Sequence, residues 1–496
     1  MTIYQSLRSI AEQRGRAVAL RCGAEAMSYA ELLRRVDSAA VRLSSLGIAR
    51  GIPYAVLSEN RPELMVAYYA AAKLGAVFVP VNPNLTASEV SHIVAHSGAR
   101  LLLHDAAMNA IAHAAVPEPA CRPLSILAEM SHVDSAQDYD VKAEDDFLII
   151  YTSGSTGLPK AVLFDQAAEI AGNASLIEMW GITSGDVTLV ALPLGYLYGL
   201  STAAATGLQA GGEVVVLRRF HPGGVLEAFV ASQVSVFHGV PTMYSMMLEY
   251  VEQRELSYDL SFMRALICAG APLSEEMKQR FSKIFNKDIQ DYYALTEVRP
   301  VFGAYADDPE PVPARSIGRA APGVSARILA GRNEDCAAGT LGELVVWSPS
   351  TLKRYHKDPL LTSEALFEGG FRTGDIGYRD ERGYYYLTGR IKDIIIRGGA
   401  NIAPAEVEGV LVRHPSVQDV AVIGIPDRIF GEVPAAFIVR RHGADVTPEE
   451  LIAYASKVLA DFKVPKHFGF EAALPLGKTG KVDRNALKAL WRDLHP

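Results

Sequence analysis

Tyr151–Phe164, YTSGSTGLPKAVLF, packs four Ser/Thr hydroxyls, two glycines and a lysine into a stretch directly after the apolar run DFLII, Asp146–Ile150. The run reads as a buried strand. Gly154 and Gly157 let backbone N–H groups approach an anion with no Cβ in the way. Thr152, Ser153, Ser155 and Thr156 add short hydroxyls and Lys160 a point charge, so the stretch reads as a phosphate cradle. It is not a Walker A loop, because Gly157 is followed by Leu158, Pro159 and Lys160 rather than by Lys-Ser/Thr. Taken alone, it also fits a Ser/Gly surface loop.

Further segments follow in one order: LGAVFVPVNPNLTASE (Leu74–Glu89), AGAPL (Ala269–Leu273), DYYALTE (Asp291–Glu297), FRTGDIG (Phe371–Gly377), GRIKDIIIRGGANIAPAEVE (Gly389–Glu408) and PLGKTGKVDR (Pro475–Arg484). Together with the cradle they resemble the signature motifs of the adenylate-forming enzymes, which include acyl-CoA synthetases, aryl-CoA ligases, luciferases and adenylation domains. The resemblance runs almost end to end.

The resemblance implies the following roles. Thr152, Ser153, Gly154, Ser155, Thr156, Gly157 and Lys160 hold the β- and γ-phosphates of ATP. Gly270, Ala271 and Pro272 line one face of the adenine, and Tyr292 and Tyr293 belong to the segment on the other, with Asp291 accepting from the adenine amino group. Thr296 contacts the α-phosphate and Glu297 ligates Mg²⁺, a hard cation suited to carboxylate oxygens. Asp375 takes the ribose hydroxyls, and Arg390 reaches ribose or phosphate. Lys481, directly after Gly480, bridges the acid and the α-phosphate; its neighbour Lys478 does not match. Lys392 is the hinge, and Gly398 and Gly399 let a pantetheine arm pass close to the backbone. The acyl pocket is expected to draw on Tyr196, Tyr198, Phe237, His238, Val301 and Phe302, with Arg299 as a partner for a second polar group of the acid, against the alternative of a salt bridge. Ala161, Gln166, Ala294 and Tyr196 depart from the family pattern, which bears on pocket shape.

Composition is compatible with that reading. A chain of 496 residues exceeds what one core usually serves. The formal net charge of −8 argues against nucleic acid as a partner. No apolar run reads as a signal peptide or a bilayer span, so the cytoplasm is the expected location. Cys22, Cys121, Cys268 and Cys336 show no CxxC spacing, so neither disulfides nor a zinc cluster are suggested. His92 and His96, four apart, read as ordinary helix residues.

Strands and helices alternate through PYAVLS, LMVAYYAAAKLG, VFVPV, GEVVVL and VSVFHGVP. That alternation gives an α/β fold of layered subdomains. From Gly318 the strands shorten into a β-rich subdomain, and beyond Lys392 lies a small mobile α+β domain. The expected division is therefore 1–391, binding ATP and acid, and 392–496, carrying Lys481. Met243, Met246 and Met247 read as core filling.

The expected chemistry is ATP-dependent activation of a carboxylic acid through an acyl-adenylate, then thioester formation on CoA. Alternatives are loading of a carrier-protein phosphopantetheine, or a catalytically silent binding protein. Homodimerisation is left open.

Overall fold

The computed structural model describes residues 1–117, 120–128, 139–152, 159–271, 273–308, 310–331, 333–477 and 482–494. Ser153–Leu158, Pro272 and Lys478–Lys481 therefore lie outside the described residues, and with them most of the expected phosphate cradle and the expected catalytic lysine.

The chain divides into two compact units, Met1–Ala326 with Val346–Phe371, and Arg327–Val345 with Arg372–Pro496. In the first unit, two sheets carry the layered α/β architecture expected. One has seven strands in the order Arg354–Tyr355, Lys160–Asp165, Asp146–Thr152, Val77–Val81, Pro53–Leu57, Leu102–His104 and Cys121–Pro123. From Asp146–Thr152 to Cys121–Pro123 its strands pair in parallel, and Val77–Val81 is buried at every position, as an all-apolar run on a doubly covered sheet must be. The second has nine strands, of which Val187–Val190, Glu213–Val216, Val236–Gly239, Ala265–Cys268 and Ile289–Leu295 are parallel neighbours.

Alternation along these strands separates two apolar layers. Phe237 joins Phe229, Tyr244 and Met247 in one core, whereas Val236, Ile267 and Tyr292 join Trp180 and Met179 in the other. Helices end as their sequences demand. Thr86–Glu89 forms a capping box at the start of Ala87–Ser97, and Gly98 closes that helix in the left-handed region. In the helix Pro241–Arg254, Met243 and Met247 are buried, but Met246 faces outward at 47% exposure and does not fill the core. Gln166, one of the departures from the family pattern, is wholly buried. Its Oε1 accepts from the Ile3 N–H at 3.0 Å and its Nε2 donates to the Ala72 carbonyl at 3.0 Å.

The second unit holds most of the short strands Gly342–Trp347, Gly370–Arg379 and Tyr385–Arg390, the β-rich texture expected after Gly318. It continues into an α+β module whose long hairpin Val417–Asp427 and Gly431–Arg440 packs against Pro404–Leu411, and whose last helix is Arg484–Leu494. Among the described residues, no helix is long and apolar enough to cross a membrane.

Candidate active site

In the first unit, Asp146–Thr152 and Lys160–Asp165 pair antiparallel, with Thr152 opposite Lys160. The expected cradle thus joins two strands, whereas a Walker A loop leads from a strand into a helix. Lys160 Nζ lies 5.5 Å from the centroid of the Tyr355 ring. The Tyr355 hydroxyl in turn donates to Glu297 Oε1 at 2.8 Å. Burial, then the Glu297 charge, pushes the Tyr355 phenol well up, so it stays protonated and remains a donor. The Glu297 carbonyl accepts from the Leu352 N–H at 2.7 Å, fixing the corner after Ile289–Leu295. The fold therefore gathers Lys160, Glu297 and Tyr355, residues from three distant parts of the sequence. Tyr355 was not among the expected site residues, and nothing in RYHKDP beyond its proline turn marks it.

On the strand Ile289–Leu295, Asp291 and Tyr293 share one face and Tyr292 takes the other. Asp291 is ion-paired to Lys278, which also reaches Glu275 Oε1 at 3.1 Å. Burial pushes the Asp291 carboxyl up, and Lys278 opposes the shift. Tyr293 lies across from Phe302, ring centroids 5.9 Å apart. Gly270, following Ala265–Cys268, has φ +92°, and Gly270 and Ala271 are exposed.

The expected pocket residues divide. Tyr198 and His238 converge around Trp180, where Tyr292, expected in the adenine-lining segment, also packs. The His238 ring is 5.2 Å from Trp180 and 5.7 Å from Tyr198, and Trp180 is 5.1 Å from Tyr292. His238 is 1% exposed, and neither ring nitrogen has a hydrogen-bond partner. Burial lowers its pKa to about 3, so the ring is neutral. Tyr198 opens a π-helix, Tyr198–Ala205, whose second residue must be glycine: a Cβ on Gly199 would lie 2.5 Å from the Pro193 carbonyl oxygen. The Tyr196 hydroxyl takes a hydrogen bond from Asn82 Nδ2. Val301 and Phe302 are fully buried.

Two expectations are corrected. Phe237 does not join His238, because neighbours on a strand face opposite ways; its ring packs 5.0 Å from Phe229 and 5.8 Å from Tyr244. Arg299 does not offer its charge to an acid. It is 2% exposed, ion-paired to Glu169 and 3.1 Å from Asn173 Oδ1, the salt-bridge alternative.

In the second unit, Asp375 and Arg390 are cross-strand partners, Nε to Oδ1 2.8 Å, with Asp375 3% exposed. Lys392 is exposed in the short 3₁₀ turn Ile391–Asp393. Gly398 and Gly399, φ +56° and +87°, form the two-residue turn between Ile395–Arg397 and Ala400–Ile402. Both positive φ values mark a type I′ hairpin, which favours glycine. Beside it, the Arg397 guanidinium lies 4.8 Å from the Phe430 ring.

Comparison with known proteins agrees with this layout. Residues 7–356 match the AMP-binding enzyme family, and residues 406–481 match the AMP-binding enzyme C-terminal domain. The chain belongs to the AMP-binding enzymes. It is similar to a feruloyl-CoA synthase of an Amycolatopsis species, 35% identical over 475 residues that cover 94% of each chain. It is also similar to a fatty acid–[acyl-carrier-protein] ligase of Streptomyces coeruleorubidus, 31% identical over 99% of this chain and 97% of that one. The ATP-bound crystal structure of MatB from Rhodopseudomonas palustris superposes with a TM-score of 0.91 at 29% identity, covering all of both chains. Like these relatives, this AMP-binding enzyme carries the large N-terminal and small C-terminal parts of the adenylate-forming fold.

Proposed function

We propose that the protein activates a carboxylic acid with ATP as an acyl-adenylate and transfers the acyl group to the thiol of coenzyme A, releasing pyrophosphate and then AMP. The observation that carries this reading is the gathering of Lys160, Tyr355 and Glu297 at the end of the strand pair where Thr152 lies opposite Lys160. A carboxylate resists nucleophiles, and coupling it to AMP gives it a good leaving group. That step brings two anions together, so it needs cations and donors fixed in advance. Lys160, with the hydroxyls and backbone of Thr152–Gly157, supplies them to the β- and γ-phosphates. The donor set suits magnesium. Glu297 is a half-buried carboxylate held by a neutral phenol, a hard oxygen ligand for Mg²⁺, which neutralises phosphate charge when bound. Thr296 contacts the α-phosphate.

Tyr293 offers an aromatic face to adenine, whose other face is the role of Gly270, Ala271 and Pro272, and Asp291, beside Lys278, accepts from the amino group. Asp375, oriented by Arg390, takes the ribose hydroxyls. Lys481 bridges the acid and the α-phosphate. For thioester formation the backbone turns at Lys392, the boundary between 1–391 and 392–496, and the Gly398–Gly399 turn admits pantetheine. The acid tail meets the wall of Tyr198, His238, Tyr292 and Trp180. With Arg299 taken by Glu169, that wall suits a flat or apolar monocarboxylic acid, aryl acids first, rather than a dicarboxylic one.

Pyrophosphate release measured across a panel of aryl, aliphatic and dicarboxylic acids tests the reading. Release with aryl or aliphatic acids supports it, release only with dicarboxylic acids overturns the pocket assignment, and none with any acid favours a silent binding protein. Similarity to a carrier-protein ligase supplies a second reading. Thioester formation on a holo carrier protein but not on CoA decides for it.

A further inference from the structure

At the edge of the seven-stranded sheet, His104 ends the strand Leu102–His104, His113 lies on the helix Asn109–Ala115 and Cys121 begins the strand Cys121–Pro123. The register pairs Leu102 with Cys121, so Cys121 shares a face with Leu102 and, two residues on, with His104. The helix packs on both strands. One ring nitrogen of each histidine and the Cys121 sulfur all lie within 4.8 Å of one another. None of these residues belongs to the site described above.

The chemistry of His104 points to a ligand. The residue is 3% exposed, and its Nδ1 lies 2.9 Å from the Asp105 carbonyl, which can only accept. Nδ1 therefore carries the proton, and Nε2 presents a lone pair. That Nε2 is buried with no hydrogen-bond partner. A carbonyl on one ring nitrogen and a free lone pair on the other is the arrangement by which proteins orient metal-binding histidines. Cys121 is fully buried and free of any disulfide. His113 is exposed, giving an entry path and an open side.

The geometry points to a zinc site formed by His104, His113 and Cys121, with water as the fourth ligand. Two imidazoles and a thiolate suit borderline-soft Zn²⁺ and not the hard Mg²⁺ of phosphate chemistry. At Zn–N of about 2.0–2.1 Å and Zn–S of about 2.3 Å, tetrahedral ligand atoms lie roughly 3.3–3.6 Å apart. From separations within 4.8 Å, closing to that spacing takes side-chain rotation, for which the exposed His113 has the most freedom. Binding displaces the Cys121 thiol proton to solvent, leaving the thiolate on the metal.

The test uses the full-length, metal-stripped protein without ATP or Mg²⁺, titrated with Zn²⁺ against a chromophoric chelator, and in parallel with Co²⁺ to read thiolate-to-cobalt charge-transfer absorption. The expected result is one equivalent per chain with a charge-transfer band. Cys121→Ser should abolish the band, and His113→Ala should weaken zinc binding about tenfold or more. Replacing the half-buried Cys22 and Cys336 by serine should change neither. Because His113 is exposed, its variant keeps the fold, which circular dichroism verifies. Absence of stoichiometric uptake, or uptake insensitive to both His113→Ala and Cys121→Ser, overturns the site.

Discussion

Removing one member of the Arg299–Glu169 pair should destabilise the first unit far more than removing both. The two side chains are 3% and 1% exposed, so water screens neither. Glu169 Oε1 also accepts from Ser201 Oγ at 2.7 Å, and Asn173 Oδ1 takes Arg299 Nη1 and Thr206 Oγ1, both at 3.1 Å. Glu169→Leu leaves a guanidinium in the interior with only an amide oxygen to answer it, and breaking such a pair costs about 3–5 kcal/mol. The first unit contains about 350 residues. At an unfolding entropy of about 2.1 cal/mol/K per residue, the total is about 0.7 kcal/mol/K, so the single variant should melt about 4–7 °C lower. Arg299→Met should behave alike. The double variant Glu169→Leu/Arg299→Met replaces two buried charges by apolar groups of similar length and should recover most of the loss, because exchanging a whole buried pair is often neutral. Differential scanning calorimetry of the four proteins closes the cycle. Additive losses, or single variants melting within about 1 °C of the parent, would refute the buried pair and return Arg299 to the acid pocket.

Three further outcomes are expected. Tyr355→Phe removes the donor to Glu297; a hydrogen bond to a charged group is worth about 1.5–3 kcal/mol, so adenylation should fall roughly ten- to a hundredfold, most at low Mg²⁺. An unchanged magnesium titration of pyrophosphate release would detach Tyr355 from the site. Lys481→Ala should abolish adenylate formation while sparing thioester formation from a supplied acyl-adenylate; equal loss in both half-reactions would sink its assignment. Lys392→Pro fixes φ near −65° and should retain adenylation but lose thioester formation, with both steps assayed on folded protein; two intact rates would show that the pivot lies elsewhere.

What the sequence disclosed was local. Val77–Val81 reads as a buried strand because every residue in it is apolar, and it is one, to the residue. The ordered motifs assigned Asp375 and Arg390 to the same nucleotide, and the two residues meet as cross-strand partners. Long-range pairing was the hidden part. Arg299 looks like a free cation until Glu169, from a distant helix, is brought beside it. Tyr355 reaches Glu297 because Arg354–Tyr355 pairs with the strand Lys160–Asp165 while the Leu352 N–H bonds the Glu297 carbonyl. Phe237 and His238 are adjacent in the chain and opposed in space, a consequence of alternation along VSVFHGVP, which already reads as a strand. His104, His113 and Cys121 lack the spacing of a metal motif because the sheet register, rather than a turn, assembles them.

The dry setting of His238 also fixes how the enzyme tolerates acid. The imidazole takes up no second proton in the fold until pH falls to about 3, whereas in the unfolded chain it does so near 6.5. Between those values the unfolded state binds the extra proton, so stability rises with pH through this window and is lost as pH falls. The slope approaches about 1.4 kcal/mol per pH unit once the unfolded ring is mostly charged. Above pH 6.5 the contribution is flat. The aromatic wall that would grip the acid tail is thus also a built-in acid lability, set by one buried ring with no side chain or carbonyl to share its charge.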